Sequence, residues 1–176
     1  MKYFIGAASM VIIILIGSFV FIYSGLYNMS ATSHHNKLTL WMINTLRDKS
    51  MEYHANDPSI NPPDLSDTSL IKIGYVHYRK MCVGCHGAPG RDQGEIAQKG
   101  FYPHPPLLVK TAKEFTPKQL FWIIKNGYKM TAMPAFGTTH SDDEIWALVS
   151  IVQKLPSISK EQFQLMEIQT KGMTVE

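Results

Sequence analysis

The stretch "CVGCH", residues 82–86, contains both cysteines of the 176-residue chain and a histidine directly after the second one. Two thiols at this spacing are found in redox dithiols, in zinc sites and in covalent cofactor attachment. A structural zinc site needs four ligands, and the sequence has no further cysteine to complete one. A thioredoxin-like dithiol would follow a strand of a parallel sheet, which the flanking sequence does not predict.

The remaining interpretation of the motif is attachment of a c-type haem. Two thiols three residues apart on a helical turn can reach both vinyl groups along one porphyrin edge, and the next imidazole can bind the iron. We therefore predict one covalent haem c, attached through Cys82 and Cys85, with His86 as an iron ligand. Thioether formation would use both thiols and leave none for disulfide chemistry in an oxidising compartment.

The segment before the motif, "SLIKIGYVHYRKMC", predicts the helix that carries it. Ile71, Tyr75 and Tyr78 fall on one helical face that continues to the first cysteine. Asp67 or Thr68 is expected to cap the N-terminus of this helix.

A second helix is predicted before the methionine-containing stretch "NGYKMTAMPAFG". Thr116 is expected to be its N-cap, Pro117 suits its first position, and Asn126-Gly127 should end it. The chain beyond such an end is a loop, which can lay a side chain over a haem face.

The second axial ligand of the iron is expected from this loop. The candidates in the chain are Met133, Met130, His104 and His140. Pro134 restricts the backbone beside Met133, so its thioether can be held at low entropic cost. We predict Met133 as the ligand, Met130 as a buried filler against the ring, and both histidines as surface residues.

With these elements in place, the segment from about Ser69 to Pro156 resembles a class I cytochrome c domain. It shares a first helix leading into CVGCH, a middle helix, the MPAF stretch with a methionine, and a last helix beginning at a capping box at Ser141. The resemblance implies an all-α fold wrapped around one covalent haem, with ligation by His86 and Met133.

The resemblance also implies two details of the site and its core. The first and last helices should cross with a small residue of one against an aromatic residue of the other, a pattern that Gly74, Tyr78 and Trp146 match. In the loop "FYPHPPLL", the carbonyl of Pro105 or Pro106 should accept a hydrogen bond from His86 Nδ1. Leu107 should pack on the ring.

The N-terminus begins with an apolar run from Tyr3 to Tyr23 that contains no charge. Its length matches the roughly 20 residues of a membrane-spanning helix and exceeds the apolar core of a secretory signal. We interpret residues 1–25 as an uncleaved anchor, with a signal sequence, removed or uncleaved, as the alternative. Because haem c is attached outside the cytoplasm, we expect a single-pass protein of a bacterial inner membrane with its haem domain in the periplasm.

The rest of the chain divides into three predicted parts. Residues 26–66 are expected to form a stalk, with a helix over 38–56 followed by a proline-rich linker. Residues 67–158 are expected to form the cytochrome c domain and residues 159–176 a tail. The stalk helix is interpreted as lying on the domain or membrane surface, or as docking a membrane partner.

The expected function is electron transfer, without enzymatic activity or a small-molecule substrate. A haem iron that is bound by two protein ligands in addition to the porphyrin has no open position for a substrate. The alternatives are a haem c subunit of a dehydrogenase or terminal oxidase and, third, a gas-binding cytochrome. The net charge of +3 gives no indication of nucleic-acid binding. Residues 79–129 carry nine basic and three acidic residues, so we expect redox protein partners that are acidic at the contact.

Overall fold

The structure, a computed structural model, describes residues 2–173. The chain forms two compact units, Met1–His34 and His35–Glu176. No strand occurs in residues 2–173, and one isolated bridge joins Ala88 and Arg91. The predicted all-α fold is therefore confirmed.

The first unit contains helix α1, Lys2–Tyr23. All of its residues are exposed within the protein, and its mean hydropathy of 2.7 over a membrane-length window suits a bilayer. Length and composition fit a membrane anchor, and an N-terminal signal sequence has the same properties.

The second unit consists of helices joined by loops. They are α2 (Lys37–Ala55), α3 (Thr68–Met81), α4 (Val83–His86), α5 (Glu95–Lys99), α6 (Leu108–Thr111), α7 (Pro117–Asn126), α8 (Asp142–Lys154) and α9 (Lys160–Gln169). Short 3-10 turns cover Ala112–Glu114, Phe136–Thr138 and Leu155–Ser157.

The starts of the three main helices are fixed by side-chain caps, as the sequence predicts. Asp67 accepts a hydrogen bond from the Ser69 N–H at 2.8 Å at the start of α3. Thr116 and Ser141 form reciprocal capping boxes at the starts of α7 and α8. These contacts satisfy N–H groups that have no partner within the helix.

The core centres on the crossing of α3 and α8. At Gly74 the two backbones approach so closely that a Cβ would overlap the carbonyl oxygen of Ala147. The atoms nearest to Gly74 are therefore those of the Ala147 backbone. The resemblance had indicated that an aromatic ring, that of Trp146, would pack against this glycine. That ring stacks on Phe121 of α7 instead, with centroids 4.2 Å apart, so the aromatic residue joins α8 to the middle helix.

The predicted stalk helix and tail both pack on this core, within the second unit. Helix α2 buries Met51 and Ala55, and His54 stacks on Trp122 of α7 with centroids 5.5 Å apart. Helix α9 buries Phe163, whose ring lies 4.9 Å from that of Tyr75. Both segments therefore belong to the same compact unit as the helices that carry the CVGCH motif.

Candidate functional site

The CVGCH motif forms one tight helical turn at the end of α3. Cys82 ends that helix, and its carbonyl accepts the N–H groups of Cys85 and His86 at 3.1 and 2.8 Å. Both thiols are free and half-buried. The motif thus presents two cysteine side chains and one imidazole from the single turn that joins α3 to α4.

The environment of Cys82 argues against a redox dithiol. Burial, followed by the neighbouring Cys85, raises the pKa of the Cys82 thiol to about 12. Redox-active cysteines have lowered pKa values, because the thiolate is the reactive species. A thiol held protonated in an apolar surrounding fits a residue that serves as an attachment point.

The orientation of His86 is set by the proline-rich loop. Its Nδ1 lies 2.9 Å from the carbonyl oxygen of Pro106. A carbonyl can only accept, so Nδ1 carries the proton and Nε2 keeps its lone pair, which is the tautomer needed for binding a metal through Nε2. Burial lowers the pKa of His86, and the Pro106 contact opposes this effect. The neutral imidazole is therefore favoured.

Two further side chains hold the site together and were missed by the sequence analysis. The Gln93 amide donates to the carbonyls of Cys85 and Pro105 at 2.6 and 2.8 Å. It thereby joins the motif to the proline loop. The Tyr78 hydroxyl donates to the Gly87 carbonyl at 2.6 Å. No sequence pattern indicates that a loop glutamine will join two segments through its amide. The apolar face of α3 does predict that Tyr78 is buried, but not that its hydroxyl bonds Gly87.

Leu107 lies beside the motif, and its packing on the ring stays a prediction. It is half-buried, and a Cβ added to Gly87 would contact its Cδ1 atom. Gly87 follows His86 directly and has a φ of 69°. The left-handed backbone and the close leucine both favour glycine there.

Met133 is half-buried and packs against the main hydrophobic cluster. Its N–H donates to Thr131 Oγ1 at 3.1 Å, and its carbonyl accepts from the Tyr128 N–H at 3.4 Å. Gly127 has a φ of 62°, and it lies so close to the methionine loop that an added Cβ would contact the backbone of Met133 and Pro134. Backbone contacts on both sides therefore fix the loop at this methionine.

The protein's own side chains leave Met130 uncovered, so its burial against the ring stays a prediction. Its side chain is 82% exposed, and the residue lies on a turn with a φ of 58°. His104 is exposed as predicted. His140 is half-buried, and its ring lies 5.4 Å from that of His77 and 5.6 Å from that of Phe136.

The residues present fit a covalently attached haem with one histidine and one methionine ligand. Cys82 and Cys85 offer two free thiols on one turn, His86 has the tautomer that leaves Nε2 available, and Met133 supplies a thioether from a braced loop. An imidazole and a thioether together favour ferrous iron and raise the reduction potential. The two ligand assignments stay predictions.

The comparison with known protein families gives a match in the same part of the chain. Residues 69–150 match the family described as cytochrome c oxidase, cbb3-type, subunit III. No curated protein matches the chain. The matched segment runs from the start of α3 into α8 and contains the motif, the proline loop, α7 and the methionine loop.

The fold, the site and the match together define a class I cytochrome c domain. Residues 69–150 therefore form a c-type cytochrome domain, and the apolar N-terminal helix is consistent with membrane anchoring. The domain implies haem c binding, and it indicates either an electron carrier or a subunit of an oxidase.

A buried histidine between α3 and α8 lies outside this site. His77 is 1% exposed, its Nδ1 has no hydrogen-bond partner, and its Nε2 lies 3.7 Å from Glu144 Oε1. Burial is the main cause that lowers the pKa of His77. Glu144 opposes this effect, while His140 and Lys80 add to it. His77 is therefore favoured as the neutral form in the folded protein.

The lowered pKa of His77 predicts a loss of stability in mild acid. Below about pH 6.5 the unfolded chain protonates this histidine while the folded one does not. The free energy of unfolding therefore falls as the pH falls, by at most about 1.4 kcal/mol per pH unit for one proton. The fall ends below the pKa that His77 has in the folded protein. We expect His77→Leu to reduce this slope in denaturant titrations between pH 7 and 5, whereas His104→Leu, at an exposed site, should preserve it. Equal slopes in the wild type and His77→Leu would contradict the assignment.

Proposed function

We propose that the protein is a membrane-anchored, mono-haem cytochrome c that passes single electrons between redox proteins in the periplasm. The observation that carries this proposal is the pairing of the cysteine turn with His86 fixed by Pro106. Both cysteines of the sequence belong to that one motif, which supports a single haem. Attachment of haem c outside the cytoplasm supports α1 as a single-pass anchor of the bacterial inner membrane.

Electron carriage, without catalysis, follows from the predicted ligands. If His86 and Met133 both bind the haem iron, no position on the iron would stay open for a substrate. The protein's contribution is then to hold the cofactor in a fixed, largely apolar environment in both oxidation states. Helix capping, the Gln93 amide and the Gly127 contact all restrict movement around the two ligands.

The partner is proposed to be a redox protein with an acidic contact surface. Several of the basic residues in 79–129 already have acidic partners within the protein: Lys99 bonds Glu95, Lys125 bonds Asp142 and Arg79 bonds Glu167. Exposed cations of the same segment include Arg91, Lys110, Lys113 and Lys129. Such a surface would steer an acidic partner toward the haem-bearing half of the domain.

A second candidate is a permanent subunit of a terminal oxidase. The description of the matched family, an oxidase subunit, favours it. Both candidates use the same haem chemistry, and they differ in whether the partner leaves after each transfer.

Purification in mild detergent from native membranes tests the proposal. We expect a red protein that undergoes reversible one-electron oxidation, elutes without a stoichiometric partner, and reacts with a purified acidic redox partner more slowly as ionic strength rises. Co-elution with oxidase subunits at a fixed ratio would establish the second candidate instead. A change in the reduced spectrum on adding carbon monoxide would show an open iron position and contradict electron carriage as proposed.

A further inference from the structure

Helix α2 has an apolar side that the rest of the second unit leaves exposed. We call Leu38, Met42, Leu46 and Tyr53 its outer face, since they recur at helical spacing; Lys49, which is paired with Glu52, lies between Leu46 and Tyr53 on the same side. Their exposed fractions are 66%, 56%, 73% and 78%. Trp41 adjoins this face and is 63% exposed.

The outer face differs from the side of α2 that packs on the domain. Met51 and Ala55 are the buried residues of the helix, and His54 stacks on Trp122. In a helix whose only partner is the domain, the opposite side would be polar. A run of large apolar side chains there marks a surface that meets another apolar phase.

The chain between α1 and α2 indicates which phase this is. The sequence from Tyr3 to Asn36 contains no charged residue, and Lys37 is the first charge after Lys2. Thirteen residues connect the end of α1 to the start of α2, so fully extended they reach about 45 Å. The outer face is thus tethered within a short distance of the bilayer that α1 is proposed to cross.

The side chains of α2 are compatible with the membrane–water interface. Its two acidic residues are each paired within the helix, Asp48 with Arg47 at 2.8 Å and Glu52 with Lys49 at 2.7 Å. No uncompensated carboxylate would therefore oppose a lipid surface. Tryptophan and tyrosine, as at Trp41 and Tyr53, are the residues enriched at the level of the headgroups.

We propose that the outer face of α2 lies in the interfacial layer of the membrane crossed by α1. The inference rests on the anchoring in the proposed function. Once the anchor is inserted, burial of the outer face is an intramolecular event at high effective concentration, so a short amphipathic helix suffices. Because α2 packs on α7, this contact restricts how the haem domain is turned toward partners within the membrane.

A spin label on the outer face tests the proposal in the full-length protein. Leu46→Cys is labelled in holoprotein reconstituted into lipid-only nanodiscs of phosphatidylethanolamine and phosphatidylglycerol. Glu161→Cys, exposed on α9, is the matched control. We expect the label at position 46 to collide with a water-soluble nickel chelate several-fold less, and with lipid-soluble oxygen several-fold more, than the label at position 161.

Three results would overturn the proposal. Equal collision rates at both positions would show that α2 lies in water. Protection at position 46 only in native membranes would assign the outer face to a protein partner, and protection only with several chains per nanodisc would assign it to a second copy. Extraction of the unlabelled chain from native membranes by alkaline carbonate is a separate result that would refute the anchoring itself.

Discussion

Replacing Cys82 or Cys85 with alanine is expected to reduce the yield of red, folded protein to a small fraction of the wild-type level. Each variant can form at most one thioether, because both cysteines of the chain lie in this motif. The haem would supply much of the apolar surface around which α3, α7 and α8 pack, so its loss removes part of the core. Haem absorbance per unit of protein and haem staining on denaturing gels measure the effect.

Gly84→Ala provides the matched control for the cysteine variants. The residue lies between the two cysteines, and a Cβ at this position meets nothing within 4 Å. We therefore expect near-normal haem content in this variant. Complete extraction of haem from the unmodified protein by acid and acetone would show that attachment is not covalent, and the assignment of both cysteines would be wrong.

Replacing Met133 with alanine is expected to abolish the weak sulfur-to-iron charge-transfer band at the red end of the oxidised spectrum. The reduction potential should fall at the same time, on the order of 0.1 V or more within the roughly 0.8 V range that axial ligands control. The reason is that a thioether favours ferrous iron, and water or a more basic ligand would replace it. Absorption spectra and redox titration measure the two effects.

Met130→Ala is the control for the distal ligand. Its side chain is 82% exposed on a turn three residues before Met133. We expect the variant to keep the band and a potential close to that of the wild type. Loss of the band in Met130→Ala together with its retention in Met133→Ala would transfer the ligand role to Met130.

Local features of the fold were predictable from the sequence because their causes are local. Asp67, Thr116 and Ser141 cap helices through contacts within three residues, and these patterns identify helix starts directly. The CVGCH spacing likewise indicates its own chemistry. The resemblance to class I cytochrome c led to the prediction of a hydrogen bond from His86, and the structure selects Pro106 from the two candidate prolines.

Features that depend on distant contacts were not predictable in this way. The left-handed backbone at Met130 was not predicted, since no residue pattern indicates a positive φ at a methionine. Gln93 joins two loops through its amide, a role that only their proximity reveals. The packing of the tail was not predicted either, because the contact of Phe163 with Tyr75 joins residues far apart in the chain.

The close crossing at Gly74 and Ala147 has a consequence for the order of events during biogenesis. The two contacting residues lie near opposite ends of the matched segment, so their packing cannot begin until nearly all of that segment has been synthesised. Before then, the cysteines occupy a chain that lacks its closing helix and is accessible to other proteins. Folding of the domain therefore includes an interval in which both thiols belong to an incomplete core, and we expect covalent attachment to take place in that interval.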